Sequence, residues 1–269
     1  MTGETDGGGR RETGLEHLTL LDLAPPDLVT VAAAAGFSAV GLRISPVTGG
    51  EPAWPMEPGS PMLADTVRRC ADTGVVVLDA EAIHADGDLA GCEPAIEAAA
   101  ALGARYLTVL CDEADLDRFA DRFATLTQMA RPYRVRPVVE FMAFRPLRRL
   151  ADAVGIVRRS DGGGLLLDTL HLQRCGTTPG ELAAIDPALL SYLQICDAPA
   201  APGPDPVSEA RTARLLPGEG ELPLAAMLDA LPGLLPVSVE APSAAAREDP
   251  ARYARAARRA LDSVPGLAA

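Results

Sequence analysis

Short apolar runs rich in leucine and β-branched residues alternate along this chain with longer Ala-, Leu- and Arg-rich stretches of helical length. The runs that read as strands are Leu18–Leu23, Ala39–Ile44, Val75–Ile83, Ala104–Cys111, Arg136–Met142, Gly164–His171, Leu190–Asp197 and Pro236–Ala241. Each is followed by a stretch that predicts a helix, near Pro26–Ala35, Pro61–Thr73, Pro94–Leu102, Asp115–Ala130, Pro146–Arg159, Pro179–Ala184, Leu222–Leu231 and Pro250–Leu261. Several of these open with proline in the first turn, where its missing N–H costs nothing. Gly36, Gly74 and Gly103 follow predicted helix ends, where a left-handed cap is wanted. The strands lack polar alternation, as expected when both faces are buried. Alternating β and α units predict a parallel sheet, and eight units in a chain of about 250 residues predict closure into a single (β/α)8 TIM barrel. An open doubly wound sheet would show a Gly-rich turn after its first strand. Here the first run leads into Asp22-Leu23-Ala24-Pro25-Pro26, and the triple glycine at 162–164 precedes a strand, not a helix.

Residues 1–14 are Gly-rich and charged, without the apolar core of a signal peptide, and read as a flexible tail before a barrel domain over 15–269. Composition then narrows the chemistry. The net charge is −13 and every basic side chain is arginine or histidine, with no lysine at all. That removes any Schiff-base or lysine-base mechanism, and the acidic balance argues against a nucleic-acid partner. No apolar run approaches the roughly 18 residues of a membrane span. The five cysteines are odd in number and form no C-x-x-C pair, which points away from a disulfide framework or structural zinc and towards a reducing cytoplasm.

Polar residues at the ends of apolar strands are the anomaly. Glu140, Asp168, Gln194 and Glu240 each sit near the C-terminal end of one of four consecutive predicted strands, and in a barrel those ends converge. Any one alone reads equally well as a solvated strand-end group. Three carboxylates converging in a poorly solvated mouth repel one another, and one divalent cation would resolve the conflict. Two long connections, 45–60 with Trp54 and four prolines, and 198–221, fall on the same face, where barrel active sites are built.

At these positions the chain resembles the xylose isomerase-like barrel superfamily, in its sugar phosphate isomerase/epimerase branch. The resemblance rests on Val139-Glu140-Phe141, Leu167-Asp168-Thr169-Leu170-His171, Leu193-Gln194-Ile195-Cys196-Asp197, Leu216-Pro217-Gly218-Glu219-Gly220 and Ser238-Val239-Glu240, and it covers nearly all of the chain after Leu15. It implies a metal site of Glu140, Asp168, Gln194 and Glu240, where the family pattern is Glu, Asp, His and Glu around Mn, Mg, Co or Zn. Gln194 stands where many members have His. An all-oxygen set favours Mn2+ or Mg2+, with Co2+ also compatible. Members with Gln at this position include 3-dehydroshikimate dehydratase-like enzymes.

The resemblance implies proton transfer next to a carbonyl of a small sugar or sugar-like molecule, with Glu140 and Glu240 as the acid/base pair. Isomerisation or epimerisation is the first reading; loss of a β-hydroxyl, a dehydroshikimate dehydratase-like lyase, is the second; a metal-free accessory barrel is a third. An endonuclease IV-like role would need more histidines than His17, His84 and His171. His171 is expected to handle a proton or bind substrate, or else to hydrogen-bond backbone at the rim. Glu81, His84, Arg174, Arg211, Arg214 and Trp54 are candidate substrate contacts, the arginines suiting a carboxylate or phosphate and Trp54 either covering the pocket or stapling its loop. Asp197 is expected to orient the connection after strand 7 or the metal's surroundings. Many members of the superfamily are homodimers or homotetramers, and no stripe in this sequence selects either.

Overall fold

The computed structural model describes residues 11–85 and 87–267. Eight strands, β1 (Thr13–Leu15), β2 (Ala39–Arg43), β3 (Val76–His84), β4 (Tyr106–Leu110), β5 (Arg136–Val139), β6 (Gly164–Asp168), β7 (Leu190–Ile195) and β8 (Val237–Val239), pair in sequence order into a closed parallel barrel, β8 returning to β1. The helices are α1 (Pro25–Ala35), α2 (Pro61–Thr73), α3 (Glu93–Ala101), α4 (Leu116–Ala130), α5 (Leu150–Arg159), α6 (Thr169–Arg174), α7 (Pro179–Ala183), α8 (Pro206–Thr212), α9 (Leu224–Ala230), α10 (Ala244–Glu248) and α11 (Pro250–Ser263). None among the described residues is long and apolar enough to cross a membrane.

Local chemistry sets the boundaries. Ser60, Asp115 and Asp249 accept backbone N–H bonds at the starts of α2, α4 and α11, and Thr178 with Glu181 forms a capping box on α7. Gly36 (φ 88°) and Gly74 (φ 75°) close α1 and α2 in the left-handed conformation. The main core lies between the strands' outer faces and the helices and includes Leu42, Phe119, Phe123, Leu167 and Ile195. A second cluster, Ala39, Leu78, Val138, Leu166 and Tyr192, fills the barrel interior, where Tyr192 stacks on Tyr106 with centroids 5.2 Å apart. That plug closes one end, so open space remains at the C-terminal mouth.

Two expectations need correction. The first strand is Thr13–Leu15, upstream of the expected Leu18–Leu23, so Thr13 and Gly14, assigned to the tail, belong to the barrel; residues 1–10 lie outside the described residues. The leucine-rich run instead opens with a 3-10 turn, His17–Leu20. Its apolar pattern reports burial across the mouth, not pairing. The sixth strand stops at Asp168, not His171, because the Asp168 carboxylate accepts the His171 N–H at 3.0 Å and starts α6 at once.

His17 locks the 3-10 turn in place. Fully buried, its Nδ1 accepts the Arg43 N–H at 3.0 Å and its Nε2 meets the Leu23 carbonyl at 2.9 Å, a pairing that fits the neutral ring protonated on Nε2. Burial lowers its pKa to about 4, against the opposing pull of the Leu23 carbonyl. Its folded pKa is therefore below the unfolded value of about 6.5, so the stability it contributes is full above pH 6.5 and is lost as pH falls towards 4, on the order of 3 kcal/mol in all. Urea unfolding at pH 7, 5.5 and 4.5 is expected to show a shallower acid-side loss in His17→Gln than in the parent. Equal slopes would remove this account.

Candidate metal centre and active site

Four strands deliver the expected groups to one place. Asp168 ends β6, Gln194 lies in β7, and Glu140 and Glu240 come one residue after β5 and β8. All four are 6% exposed or less. Glu140, Gln194 and Glu240 line an inner pocket of about 50 Å3, with Asp168 beneath it.

Arg214 organises the floor. It is buried, and its guanidinium reaches Asp168 Oδ2 at 2.5 Å and Glu240 Oε2 at 3.0 Å, while its Nε donates to the Ala210 carbonyl at 2.7 Å. Burial alone would raise the Asp168 pKa; the Arg214 charge outweighs it, with His171 adding to the pull, and holds the group below the ordinary carboxylate range. Glu140 has no such partner. Burial, then the charges of Asp168 and Glu240, push its pKa well up. Glu240 lies between, raised by burial to about 8 despite Arg214. His171, on the first turn of α6, has its Nε2 3.8 Å from Glu140 Oε1 and packs edge-on against Phe144; burial lowers its pKa to about 4, leaving a neutral ring at neutral pH.

The donor set suits a divalent cation. Glu140 Oε1 and Gln194 Oε1 are buried without a hydrogen-bond partner, which is costly unless something else meets them. One candidate ligand atom from each of Glu140, Asp168 and His171 lies within 4.8 Å of the other two. Without an ion, burial and mutual repulsion hold Glu140 and Glu240 towards the protonated form, and a divalent cation would let both ionise. Glu240 is drawn towards Arg214 and lies outside that close group of three, whereas His171, expected as an acid/base or substrate residue, lies inside it.

The other expected contacts divide. Glu81, Arg211 and Arg214 line the inner pocket. Glu81 pairs with Arg43 at 2.9 Å, and Arg211 pairs with Glu51, which also faces Arg43 Nε at 3.6 Å. Arg174 is committed elsewhere: its guanidinium grips Glu209 at 2.8 and 2.9 Å and the carbonyls of Pro199 and Ala200. His84 sits at the rim on Asp112, 2.5 Å away, outside the pocket wall. Trp54 packs on the main core and lines neither the inner pocket nor the adjoining chamber of about 410 Å3. Asp197 orients the 198–221 connection, accepting N–H bonds from Ala198, Gly218 and Leu222 at 2.8 to 3.0 Å. Arg43, Glu51 and Arg145 were missed. Arg43 gave the signal used elsewhere, a charge closing the apolar run Val40-Gly41-Leu42, whereas Glu51 and Arg145 sit in loops with no periodicity to place them.

Solved structures share this architecture. A xylose isomerase-like TIM barrel/4-hydroxyphenylpyruvate dioxygenase fusion protein superposes with a TM-score of 0.80 at 22% identity over 94% of this chain and 42% of its own, so this chain spans about two fifths of that protein. An IolI protein with a bound zinc atom gives 0.77 at 19% identity, covering 93% of this chain and 96% of its own. D-psicose 3-epimerase in the presence of D-fructose gives 0.73 at 15%, covering 96% and 100%. No curated protein matches the chain. The family model described as xylose isomerase-like TIM barrel matches residues 29–264, and the chain belongs to that family.

Proposed function

We propose that this barrel is a divalent-metal-dependent isomerase or epimerase that moves a proton next to a carbonyl of a sugar or sugar-like keto acid. The observation that carries the reading is the pair of buried, partnerless oxygens on Glu140 and Gln194 beside the Asp168 and Glu240 carboxylates. The metal, held by Glu140, Asp168, Gln194 and Glu240 with His171 in reach, would supply polarisation of the substrate carbonyl. The chain's own groups do the rest. Glu140 and Glu240 stand on different walls of the inner pocket, so one can take the α-proton and the other return one. Without an ion their buried carboxyls hold protons more tightly than ordinary carboxylates, and a bound cation would offset that shift. The neutral His171 ring beside Glu140 can hydrogen-bond the substrate, and Arg214 fixes the orientation of Asp168 and Glu240. The zinc-bound IolI protein and D-psicose 3-epimerase, similar in fold, support the class.

A second reading has its own support. Arg43, Arg145 and Arg211 line the same pocket; each pairs with a carboxylate, Glu81, Asp112 and Glu51, but Arg43 Nε and Arg145 Nε are buried without a hydrogen-bond partner and suit a substrate bearing a carboxylate. Departure of a β-hydroxyl after the same proton abstraction would make the protein a dehydratase of the 3-dehydroshikimate type. Incubating the Mn2+-loaded protein in D2O with a panel of ketoses and with 3-dehydroshikimate separates the two by NMR. Deuterium at the carbon next to the carbonyl of a ketose, with a new epimer or isomer, supports the first reading. An aromatic product from 3-dehydroshikimate supports the second. No exchange into any of them overturns both and leaves an accessory barrel.

A further inference from the structure

A second group of carboxylates lies in the barrel on β3 and one residue past β1, on different strands from the mouth site but adjoining its pocket. Glu16, Asp79 and Glu81 are 0%, 0% and 3% exposed, and one oxygen of each lies within 4.8 Å of the other two. Their hydrogen bonding is lopsided. Asp79 Oδ2 accepts from Thr108 Oγ1 at 2.7 Å, and Glu81 Oε2 meets Arg43 Nη1 at 2.9 Å. The remaining oxygens, Asp79 Oδ1 and Glu81 Oε1, are buried without a partner. Glu16, directed into this pair, meets no donor on either oxygen and lies within hydrogen-bonding reach of the Glu81 carboxyl. The space its carboxylate fills exists because β2 carries glycine opposite: a Cβ on Gly41 would stand 1.6 Å from Glu16 Oε2.

Buried carboxylates with one oxygen fixed by a neighbour and the other left bare are arranged as ligands of a hard cation. Charge points the same way. Arg43 is shared between Glu81 and Glu51, so Glu16 and Asp79, which burial holds towards the protonated form, have no ion-pair partner, and a divalent ion would supply one. Glu81 and Thr108 also line the inner pocket beside Glu140 and Gln194, so the group borders the mouth. We infer that Glu16, Asp79 and Glu81 form a second divalent-cation site, of Mg2+ or Mn2+ type, beneath the active-site mouth.

Counting bound Mn2+ by electron paramagnetic resonance on the full chain, stripped with chelator and titrated, tests this. The parent is expected to take up two equivalents. Glu140→Gln/Glu240→Gln, which touches only the mouth, should keep one. Glu16→Gln should lose one equivalent, and Asp79→Asn should do the same, circular dichroism confirming that each is folded. The inference is overturned if the mouth variant binds none, or if both inner variants keep the parent's stoichiometry; the carboxyls would then be sharing protons. A mouth variant that keeps the parent's stoichiometry while the inner variants lose an equivalent would uphold this site and sink the mouth metal, so the two readings fail separately.

Discussion

Glu140→Gln is expected to cut turnover by about 10²–10⁴-fold on whatever substrate the D2O screen identifies, the range lost when a positioned acid/base is removed. The change is nearly isosteric, so the barrel should stay folded. It removes the one mouth carboxylate that Arg214 does not contact, and with it an oxygen that is buried beside His171 with no hydrogen-bond partner. Mn2+ affinity at the mouth should fall as well, because the amide keeps a neutral oxygen but loses the charge. Steady-state kinetics at saturating Mn2+ separate the two effects. If turnover recovers fully when the metal is raised, Glu140 is a ligand only, and the acid/base role passes to Glu240.

Arg214→Met should destabilise the metal-free protein by about 3–5 kcal/mol, the usual consequence of removing one member of a buried ion-pair network and leaving its partners charged. Here two carboxylates, Asp168 and Glu240, would lose their shared guanidinium at once. Added Mn2+ should restore a good part of the loss, since the ion offers the same carboxylates a positive charge; at a hundredfold excess over its dissociation constant, binding stabilises by about 2.7 kcal/mol. Urea unfolding of parent and variant, with and without Mn2+, reads both. A variant as stable as the parent without metal would mean that the arginine is dispensable to the floor. A variant that Mn2+ fails to rescue would mean that Arg214 and the metal do not answer the same charge.

The barrel was legible because its signal is local and repeated. Strand runs followed by stretches of helical length recur eight times, reinforced by prolines opening several helices and by Gly36, Gly74 and Gly103 after three of them, and an error in one unit does not disturb the count. That error fell on the first unit, where Leu18–Leu23 is more apolar than the true strand Thr13–Leu15; the misplacement also hid Glu16, which sits one residue past the real strand end. Glu140, Asp168, Gln194 and Glu240 stood out because a polar group closing an apolar strand conflicts with burial. Asp79 follows the same logic but lies inside a longer run, Val75–Ile83, where it did not look terminal. What sequence could not supply was pairing at a distance. That Arg174 is spent on Glu209 while Arg214 reaches the floor depends on how 198–221 folds back, and both arginines look alike in one dimension.

That connection has a bearing on how such a barrel could diversify. Its two ends are tied by Asp197 to Ala198, Gly218 and Leu222, and Gly220 packs so close that a Cβ would lie 2.5 Å from the Ala198 carbonyl oxygen. Between those ties the segment delivers Arg214 to the floor and Arg211 to the wall. The loop and its ends thus form one structural unit: exchanging it for a relative's loop would swap the charge balance of the centre along with the shape of the entrance. The 45–60 connection, which reaches the inner pocket through Val47 and is tied to Arg43 and Arg211 through Glu51, is the freer ground for new specificities.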